Sequence, residues 1–172
     1  MSVDQLEAER LVLEPIAPHH AGTLFPFVSD VRLFTYVDQE PPTSAQALEM
    51  HYRAWSSGLS PDGSELWLNW AARLRGTEEY VGWFQATVRA DRTAEIAYVT
   101  FVGHQRRGFA LEGSAAVVGH LARMHHVSAI IAKVDPRNEA SIAVARSLGM
   151  RREDGSDKDL RFVIDARDVV AR

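Results

Sequence analysis

The sequence contains no cysteine, and this absence removes several kinds of chemistry at once. Because none of the 172 residues is Cys, disulfides, thiolate nucleophiles and cysteine-ligated metals are excluded. No apolar run reaches the length that a helix needs to cross a bilayer. Residues 1–10 are polar and acidic, without the basic start and apolar stretch of a secretory signal. We therefore expect a cytoplasmic protein that does not associate with membranes.

Positive charge is also scarce in this chain. Lys and Arg number 19 against 23 Asp and Glu, which gives a formal net charge of -4. This acidic balance provides no general attraction for nucleic acid, whereas it tolerates a cationic amine. Hydrophobic residues make up 46% and charged residues 24%, proportions that are typical of folded proteins. A chain of this length is expected to form one domain, spanning residues 1–172.

The seven histidines do not form a recognisable metal motif. His19 and His20 are adjacent, as are His125 and His126, so each pair would be split between different faces of a helix. No His-Glu-x-x-His sequence occurs. We expect no metal site, and we expect the histidines to lie at the surface or its boundary.

The periodicity of the apolar residues predicts an α/β (α+β) fold. Helices are predicted to begin near residues 18, 43, 111 and 138, the second capped by Thr43 with Gln46. Strands are predicted at 10–16, 65–74, 80–89, 93–102, 128–134 and 160–164. The gaps between the strands from 65 to 102 are short enough for antiparallel hairpins. The expected result is a central, mostly antiparallel mixed sheet with helices on both faces.

The segment Gln105-Arg106-Arg107-Gly108-Phe109-Ala110 lies between a predicted strand and a predicted helix. Glycine allows the backbone to approach a ligand closely, and the free N–H groups of a helix start favour an anion. The two arginines add positive charge, so a pyrophosphate is the expected guest. The segment lacks the Gly-Lys-Ser/Thr of a P-loop and the Gly-x-Gly-x-x-Gly of a dinucleotide site. Taken alone, it is equally consistent with a surface turn whose arginines are solvated.

Several ordered motifs around this turn resemble those of the GNAT acetyltransferases, especially the branch that includes the RimJ/RimL ribosomal-protein N-terminal acetyltransferases. Residues 105–110 match the family's Gln/Arg-x-x-Gly-x-Gly/Ala turn, which follows its fourth strand. Residues 94–99 are similar to the family's Glu-Ile-Gly-Tyr-Trp strand. Residues 138–141 and 148–150 are similar to its Asn-x-x-Ser and Leu-Gly-Phe elements. The resemblance extends from about residue 9 to residue 165.

The resemblance implies direct transfer of an acetyl group from acetyl-CoA to a primary amine. The acceptor would be a protein N-terminus or a small molecule, and no metal would take part. Main-chain N–H groups of the turn would hold the pyrophosphate. The pantetheine arm would lie along the fourth strand, where the amide of Val99 or Thr100 would hold the thioester oxygen. The implied cofactor-binding residues are Val99, Thr100, Phe101, Val102, Gln105, Arg106, Arg107, Gly108, Phe109, Ala110, Leu111 and Asn138.

Two residues are implied in catalysis. Glu95 is the first candidate for the general base, acting through water, since burial on a central strand can raise the pKa of a carboxyl group. The alternative for Glu95 is a solvated strand carboxylate or an ion pair with an arginine. Ser141 matches the family position that supports the leaving thiolate, although a serine in a first helical turn can simply bond the backbone. Asn138 is expected to cap this helix or to contact the pantetheine.

One departure from the family pattern concerns the proton donor. The tyrosine that many members place on the last helix is absent from residues 141–148, and Tyr98 is a weaker substitute.

Trp67 and Trp70 should point to opposite faces of their strand, one into the core and one into the acceptor cleft. The acceptor would be selected by residues 18–63 and by the last hairpin, which is predicted at residues 151–159. Family members occur as monomers and dimers, so a homodimer is compatible with the resemblance.

Two other classes of protein compete with an enzyme. One is an acyl-CoA-binding module that keeps the pyrophosphate turn but lacks a working base. The other is an interaction domain that binds no cofactor at all.

Overall fold

The computed structural model describes residues 3–124, 126–153 and 158–171. The strands are β1 (Leu6–Glu7), β2 (Leu11–Pro15), β3 (Leu66–Leu74), β4 (Tyr80–Val88), β5 (Thr93–Thr100), β6 (Ala129–Val134), β7 (Arg151–Glu153) and β8 (Leu160–Asp165). The helices are α1 (His20–Val28), α2 (Ala45–Trp55), α3 (Phe109–Met124), α4 (Glu139–Ser147) and α5 (Ala166–Val170). Short 3-10 helices occur at Val31–Phe34 and Val102–His104.

The strands form one eight-stranded sheet in the order β1-β2-β3-β4-β5-β6-β8-β7. The segment from β3 to β5 is an antiparallel meander. The chain then crosses through α3, and β6 returns parallel to β5, while β8 pairs antiparallel with β6. The predicted meander and strand–helix–strand crossover are therefore confirmed.

The two faces of the sheet bury two separate apolar clusters. The larger cluster packs α3, α4 and α5 against one face, with Phe84, Ile130 and Phe162 among its buried members. The approach of α3 is close, since a methyl group built on Gly113 would lie 2.2 Å from Phe84 Cζ. The smaller cluster, around Leu24, packs α1 and α2 against the opposite face. Helices on both faces were expected.

Several element boundaries differ from the prediction. The N-cap of α2 is Ser44, whose hydroxyl accepts a hydrogen bond from Ala47 N at 3.0 Å, so the Thr43 capping box was wrong. The strand predicted at 93–102 ends at Thr100, because the chain turns into a 3-10 helix there. β1 and β7 were not predicted. β7 pairs with β8, and together they form the expected last hairpin. Residues 154–157 of this hairpin lie outside the described ranges.

The prediction of surface histidines was wrong for three of the seven, because His20, His104 and His120 are buried. His20 belongs to a polar group beneath α1, where Nε2 lies 3.4 Å from Glu14 Oε2. Tyr80 and Arg73 donate to the same carboxylate, both at 2.7 Å. Burial acts to raise the pKa of Glu14, but these hydrogen bonds hold that pKa below its ordinary value. A buried histidine is thus tolerated because a paired carboxylate faces it.

Two features are absent from the described ranges. No helix within them is long and apolar enough to span a bilayer. Over the same ranges, no three side chains of the metal-binding types come together in a cluster.

Candidate active site

A gap in the sheet opens between β5 and β6. The two parallel strands pair only at their beginnings, where Thr93–Glu95 lie opposite Ala129–Ile131. Beyond this point β6 continues alongside β8, and β5 continues alongside β4. The last part of β5, residues 96–100, therefore has no strand on its β6 side.

The register of β5 determines which of its backbone groups face this gap. Arg89 N donates to Thr93 O at 2.9 Å and Phe101 N donates to Val81 O at 2.8 Å, in the same β4–β5 register. Hydrogen-bonded pairs alternate along an antiparallel ladder, so odd-numbered residues of β5 bond to β4. Tyr98 and Thr100 consequently direct their main-chain groups into the gap. Of the two amides expected to hold a thioester, the register favours Thr100.

The end of β5 leads directly into the predicted anion-binding turn. Thr100 O accepts a hydrogen bond from Gln105 Nε2 at 3.2 Å, which ties the start of the turn to the strand. Phe101 is buried and stacks on Phe27, with ring centroids 5.0 Å apart. Because the Phe101 N–H is bonded to β4, it cannot serve a ligand. Val102 begins the 3-10 helix, and its carbonyl accepts from Gln105 N.

The turn presents a row of unpaired amides. Arg106 and Gly108 both adopt left-handed backbone conformations, with φ of 61° and 84°, and they direct the chain into α3. The first helical hydrogen bond runs from Glu112 N to Gly108 O at 3.1 Å. Among the described residues, the N–H groups from Arg107 to Leu111 find no acceptor. Unpaired amides at a helix start are an anion-binding arrangement.

The side chains of the turn differ in how far they contact the rest of the protein. Phe109 is buried, and the Arg107 guanidinium lies over its ring at 5.0 Å from the centroid. Arg107 Nη1 also lies 3.3 Å from His104 Nδ1. Arg106 is exposed and forms no ion pair within the described part of the chain. Ala110 and Leu111 are partly or fully exposed, so they would contribute to a site through their N–H groups.

The start of α4 brings Ser141 to the edge of β5. Asn138 Oδ1 accepts from Ser141 N at 3.1 Å, so the expected N-cap is present. Tyr98 OH donates to Ser141 O at 3.0 Å. The backbone of Ser141 is thus engaged on both sides, whereas its hydroxyl bonds to no described residue. Burial raises the pKa of Tyr98 to about 12, so its hydroxyl stays protonated and keeps this bond.

We expect Tyr98→Phe to destabilise the protein by about 1 kcal/mol, because the Ser141 carbonyl would lose its side-chain donor. This hydrogen bond joins α4 to β5 where the sheet itself is open. Urea unfolding of the variant and of the wild type measures the change in the free energy of unfolding. Tyr36→Phe is a suitable control, since Tyr36 is exposed. Equal free energies for the two variants would contradict the role given to this bond.

A cavity of about 270 Å³ lies beside the first part of β5, on the face of the sheet that carries α1 and α2. Trp67 lines this cavity, whereas Trp70 is fully buried and donates its indole N–H to Asp4 O at 2.8 Å. The prediction that these tryptophans face opposite sides is confirmed. The lining consists of Trp55, Glu65, Trp67, Asn69, Gln85, Ala86, Thr87, Arg89, Glu95, Ile96 and Ala97.

Glu95 lies at this cavity within an ion-pair network. Its Oε2 is 3.1 Å from Arg89 Nη2 and 3.4 Å from Lys133 Nζ. Arg89 also binds Glu65, with Nε at 3.0 Å from Oε1. The alternative considered for Glu95, pairing with an arginine, is therefore what the structure contains. Its role as a general base stays a prediction.

Sequence patterns did not identify Arg89 or Lys133 as neighbours of Glu95. Arg89 could have been predicted as a neighbour, because the β4–β5 hairpin pairs Thr87 with Glu95 and Arg89 lies two residues further along the chain, just past the end of β4. Diagonal neighbours of this kind are within reach of a long side chain. Lys133 comes from β6, and no local pattern reveals which strand lies beside β5.

A family model described as the acetyltransferase (GNAT) domain matches residues 10–151. The chain belongs to the GNAT acetyltransferase family. A relative named as the uncharacterized N-acetyltransferase YoaA of Bacillus subtilis (strain 168) is 30% identical over 86% of this chain and 83% of its own length. These matches confirm the family expected from the motifs.

Solved structures with the same fold include two coenzyme A complexes. RimJ of Mycobacterium smegmatis, in complex with CoA-disulfide, has a TM-score of 0.80 at 22% identity, covering 96% of this chain and 88% of that one. Spermidine N-acetyltransferase from Vibrio cholerae, in complex with CoA and spermine, has a TM-score of 0.77 at 16% identity, covering 94% and 98%. At these identities the likeness shows the fold alone, and the predicted fold class is confirmed.

Proposed function

We propose that this chain is an acetyl-CoA-dependent N-acetyltransferase that moves an acetyl group directly to a primary amine. The observation that carries the proposal is the row of unpaired amides at residues 107–111, adjoining the open edge of β5. A diphosphate needs N–H donors at a helix start, and an extended pantetheine arm needs strand-like partners. Membership of the GNAT family and the coenzyme A complexes of two proteins of the same fold support this assignment.

The proposed reaction is attack of the amine nitrogen on the thioester carbonyl, followed by cleavage of the C–S bond. The Thr100 N–H would stabilise the oxyanion, because it faces the gap and has no strand partner there. The amine must lose a proton, and Glu95 would accept it through water. The departing sulfur gains a hydrogen bond or a proton, for which the unengaged hydroxyl of Ser141 is the candidate. The remaining turn residues and Asn138 would hold the coenzyme.

The acceptor is proposed to be an amine that reaches the cavity beside Glu95. A peptide N-terminus and a small-molecule amine both satisfy this chemistry. The spermidine N-acetyltransferase structure, a complex with CoA and spermine, represents small-molecule acceptors among proteins of the same fold. We propose a RimJ/RimL-like acetyltransferase of one domain that acts in the cytoplasm. Sedimentation in solution would distinguish a monomer from a homodimer.

A non-catalytic acyl-CoA-binding module is the second candidate, and one observation favours it. Glu95 is bound by two cations, Arg89 and Lys133, rather than standing free as a base. This candidate keeps coenzyme A binding but transfers no acetyl group to any amine.

Coenzyme A should raise the melting temperature of the protein. At a concentration one hundred times the Kd, a ligand that binds only the folded state adds about 2.7 kcal/mol to the free energy of unfolding. A thermal-shift titration with CoA measures this effect, and ATP at the same concentration controls for a general polyanion response. Absence of a shift with CoA would remove the proposal. A shift without acetylation across a panel of peptide and polyamine acceptors would favour the binding module.

A further inference from the structure

Arg10, which precedes β2, reaches across to the phosphate-binding turn. Its Nε donates to Glu112 Oε2 at 2.7 Å, and its main-chain N–H donates to Glu112 Oε1 at 2.6 Å. Its Nη1 donates to Arg107 O at 3.1 Å. The guanidinium also lies over the Phe109 ring, 4.7 Å from the centroid. One side chain thus holds three residues of the turn and of the first turn of α3.

We propose that Arg10 is a positioning residue for coenzyme A: it fixes the turn at residues 106–112 and neutralises Glu112 beside the diphosphate site. This inference rests on the proposed function, since it concerns the same anion site. It adds a residue about one hundred positions away in the sequence that no turn motif contains.

Glu112 brings a negative charge to the proposed diphosphate site. A carboxylate in the first turn of α3 is favourable to the helix dipole, and Glu112 occupies that position. The same carboxylate is unfavourable for an incoming diphosphate, because like charges repel most strongly where protein excludes water. Arg10 provides a matching positive charge at 2.7 Å. With this pair formed, the amides of the turn can meet an anion without a nearby net negative charge.

Arg10 also contacts the backbone that shapes the turn. Arg107 O has no helical partner, and Arg10 Nη1 satisfies it. Arg10 Nη2 lies against Gly108, 3.3 Å from where a β carbon would be. A planar guanidinium can reach a carboxylate, a carbonyl and a ring face at once, whereas the point charge of a lysine cannot. Arginine is therefore specifically suited to this position.

Substitution of Arg10 tests the proposal, with Arg75 as a matched control. Arg75 is also half-exposed and binds a carboxylate, Glu7, at 2.7 Å, together with the carbonyl of Ala8. In calorimetric titrations with CoA, we expect Arg10→Gln to raise the Kd at least about tenfold, as for the loss of a hydrogen bond to a charged group. Arg75→Gln should bind CoA like the wild type. Steady-state kinetics should show a raised KM for acetyl-CoA with kcat changed by less than about twofold.

A second substitution separates charge from packing. In Arg10→Gln the carboxylate of Glu112 loses its cationic partner and keeps the hydrogen bond from the main-chain N–H of residue 10. Its negative charge is then not neutralised, so adding Glu112→Gln should recover part of the lost CoA affinity. A role in packing alone predicts no recovery, because neither glutamine restores the contact with Arg107 or Phe109. If Arg10→Gln does not fold, Arg10→Lys can be used instead. It keeps the positive charge but lacks the planar guanidinium, so its Kd for CoA should be intermediate.

The outcomes distinguish this inference from the proposed function. If the wild type does not bind CoA, both are overturned. If the wild type binds CoA and Arg10→Gln binds it equally well, only the role of Arg10 is overturned. A raised Kd in Arg10→Gln without recovery in the double variant overturns the neutralisation of Glu112.

Discussion

Replacing Gly108 with alanine is expected to weaken coenzyme A binding by roughly tenfold to a hundredfold. Gly108 has a φ of 84°, and a residue with a β carbon pays about 1–3 kcal/mol to adopt such a conformation. A β carbon would also lie 3.3 Å from Arg10 Nη2. The free protein can relax the turn, but binding needs the strained form, so the strain reduces affinity, at 1.4 kcal/mol for each tenfold. Calorimetric titration with CoA measures the change.

Gly63→Ala provides a matched control for backbone strain. Gly63 has a φ of 73°, and nothing lies within 4 Å of a β carbon built there. Gly63 lies just before the start of β3. The beginning of β2, next to Arg10, pairs with the other end of β3, at Leu74. Both alanine variants should therefore lose stability, but only Gly108→Ala should lose affinity for CoA. Equal affinities in the two variants would show that the left-handed turn is not needed for binding.

The meander of β3, β4 and β5 was largely predictable because these long strands alternate and their hairpins are short. β3, β4 and β5 begin and end within two residues of their predicted bounds, and the largest difference is the end of β5 at Thr100. β1 and β7 were missed because two or three residues, mostly exposed, carry no detectable period. Only pairing with a neighbouring strand defines them.

Some features of the candidate site depend on residues that are close in the sequence, and others depend on residues that are far apart. The turn was predictable because its chemistry is that of the backbone: Gly108 and the helix start determine which amides are free. The contact between Arg10 and Glu112 spans 102 positions, and that between Lys133 and Glu95 spans a strand crossover. Sequence spacing gives no information on such pairs, because the order of strands in the sheet determines them. These contacts determine whether the turn is fixed in place and whether the Glu95 carboxylate is engaged in ion pairs.

The burial of histidine side chains could not be predicted from the sequence for a related reason. The adjacent pair His19-His20 contains one exposed and one buried residue, and the buried one faces Glu14 of the preceding strand, β2. A polar residue can enter a core when a partner satisfies it, and the partner here belongs to another element. The pattern of apolar residues around a histidine therefore cannot decide its burial.

Ser141→Ala and Glu95→Gln should each lower kcat by about a hundredfold while leaving the Kd for CoA within about twofold. The Ser141 hydroxyl has no partner among the described residues, while its backbone is fixed by Asn138 and Tyr98. Removing the hydroxyl would therefore leave α4 in place and withdraw only a donor to the leaving sulfur. Glu95→Gln keeps the size of the side chain at the cavity but removes its ability to accept a proton.

Two substitutions of the same chemical kind serve as controls. Ser147→Ala removes a hydroxyl from the last turn of α4, and Glu49→Gln removes an exposed carboxylate that pairs with Arg53 at 2.7 Å on α2. Both controls should keep wild-type kcat in steady-state assays with a saturating amine. If Glu95→Gln also keeps it while Ser141→Ala does not, the ion pairs of Glu95 with Arg89 and Lys133 are structural. In that case the amine would lose its proton to water, and kcat should rise with pH until the free amine predominates.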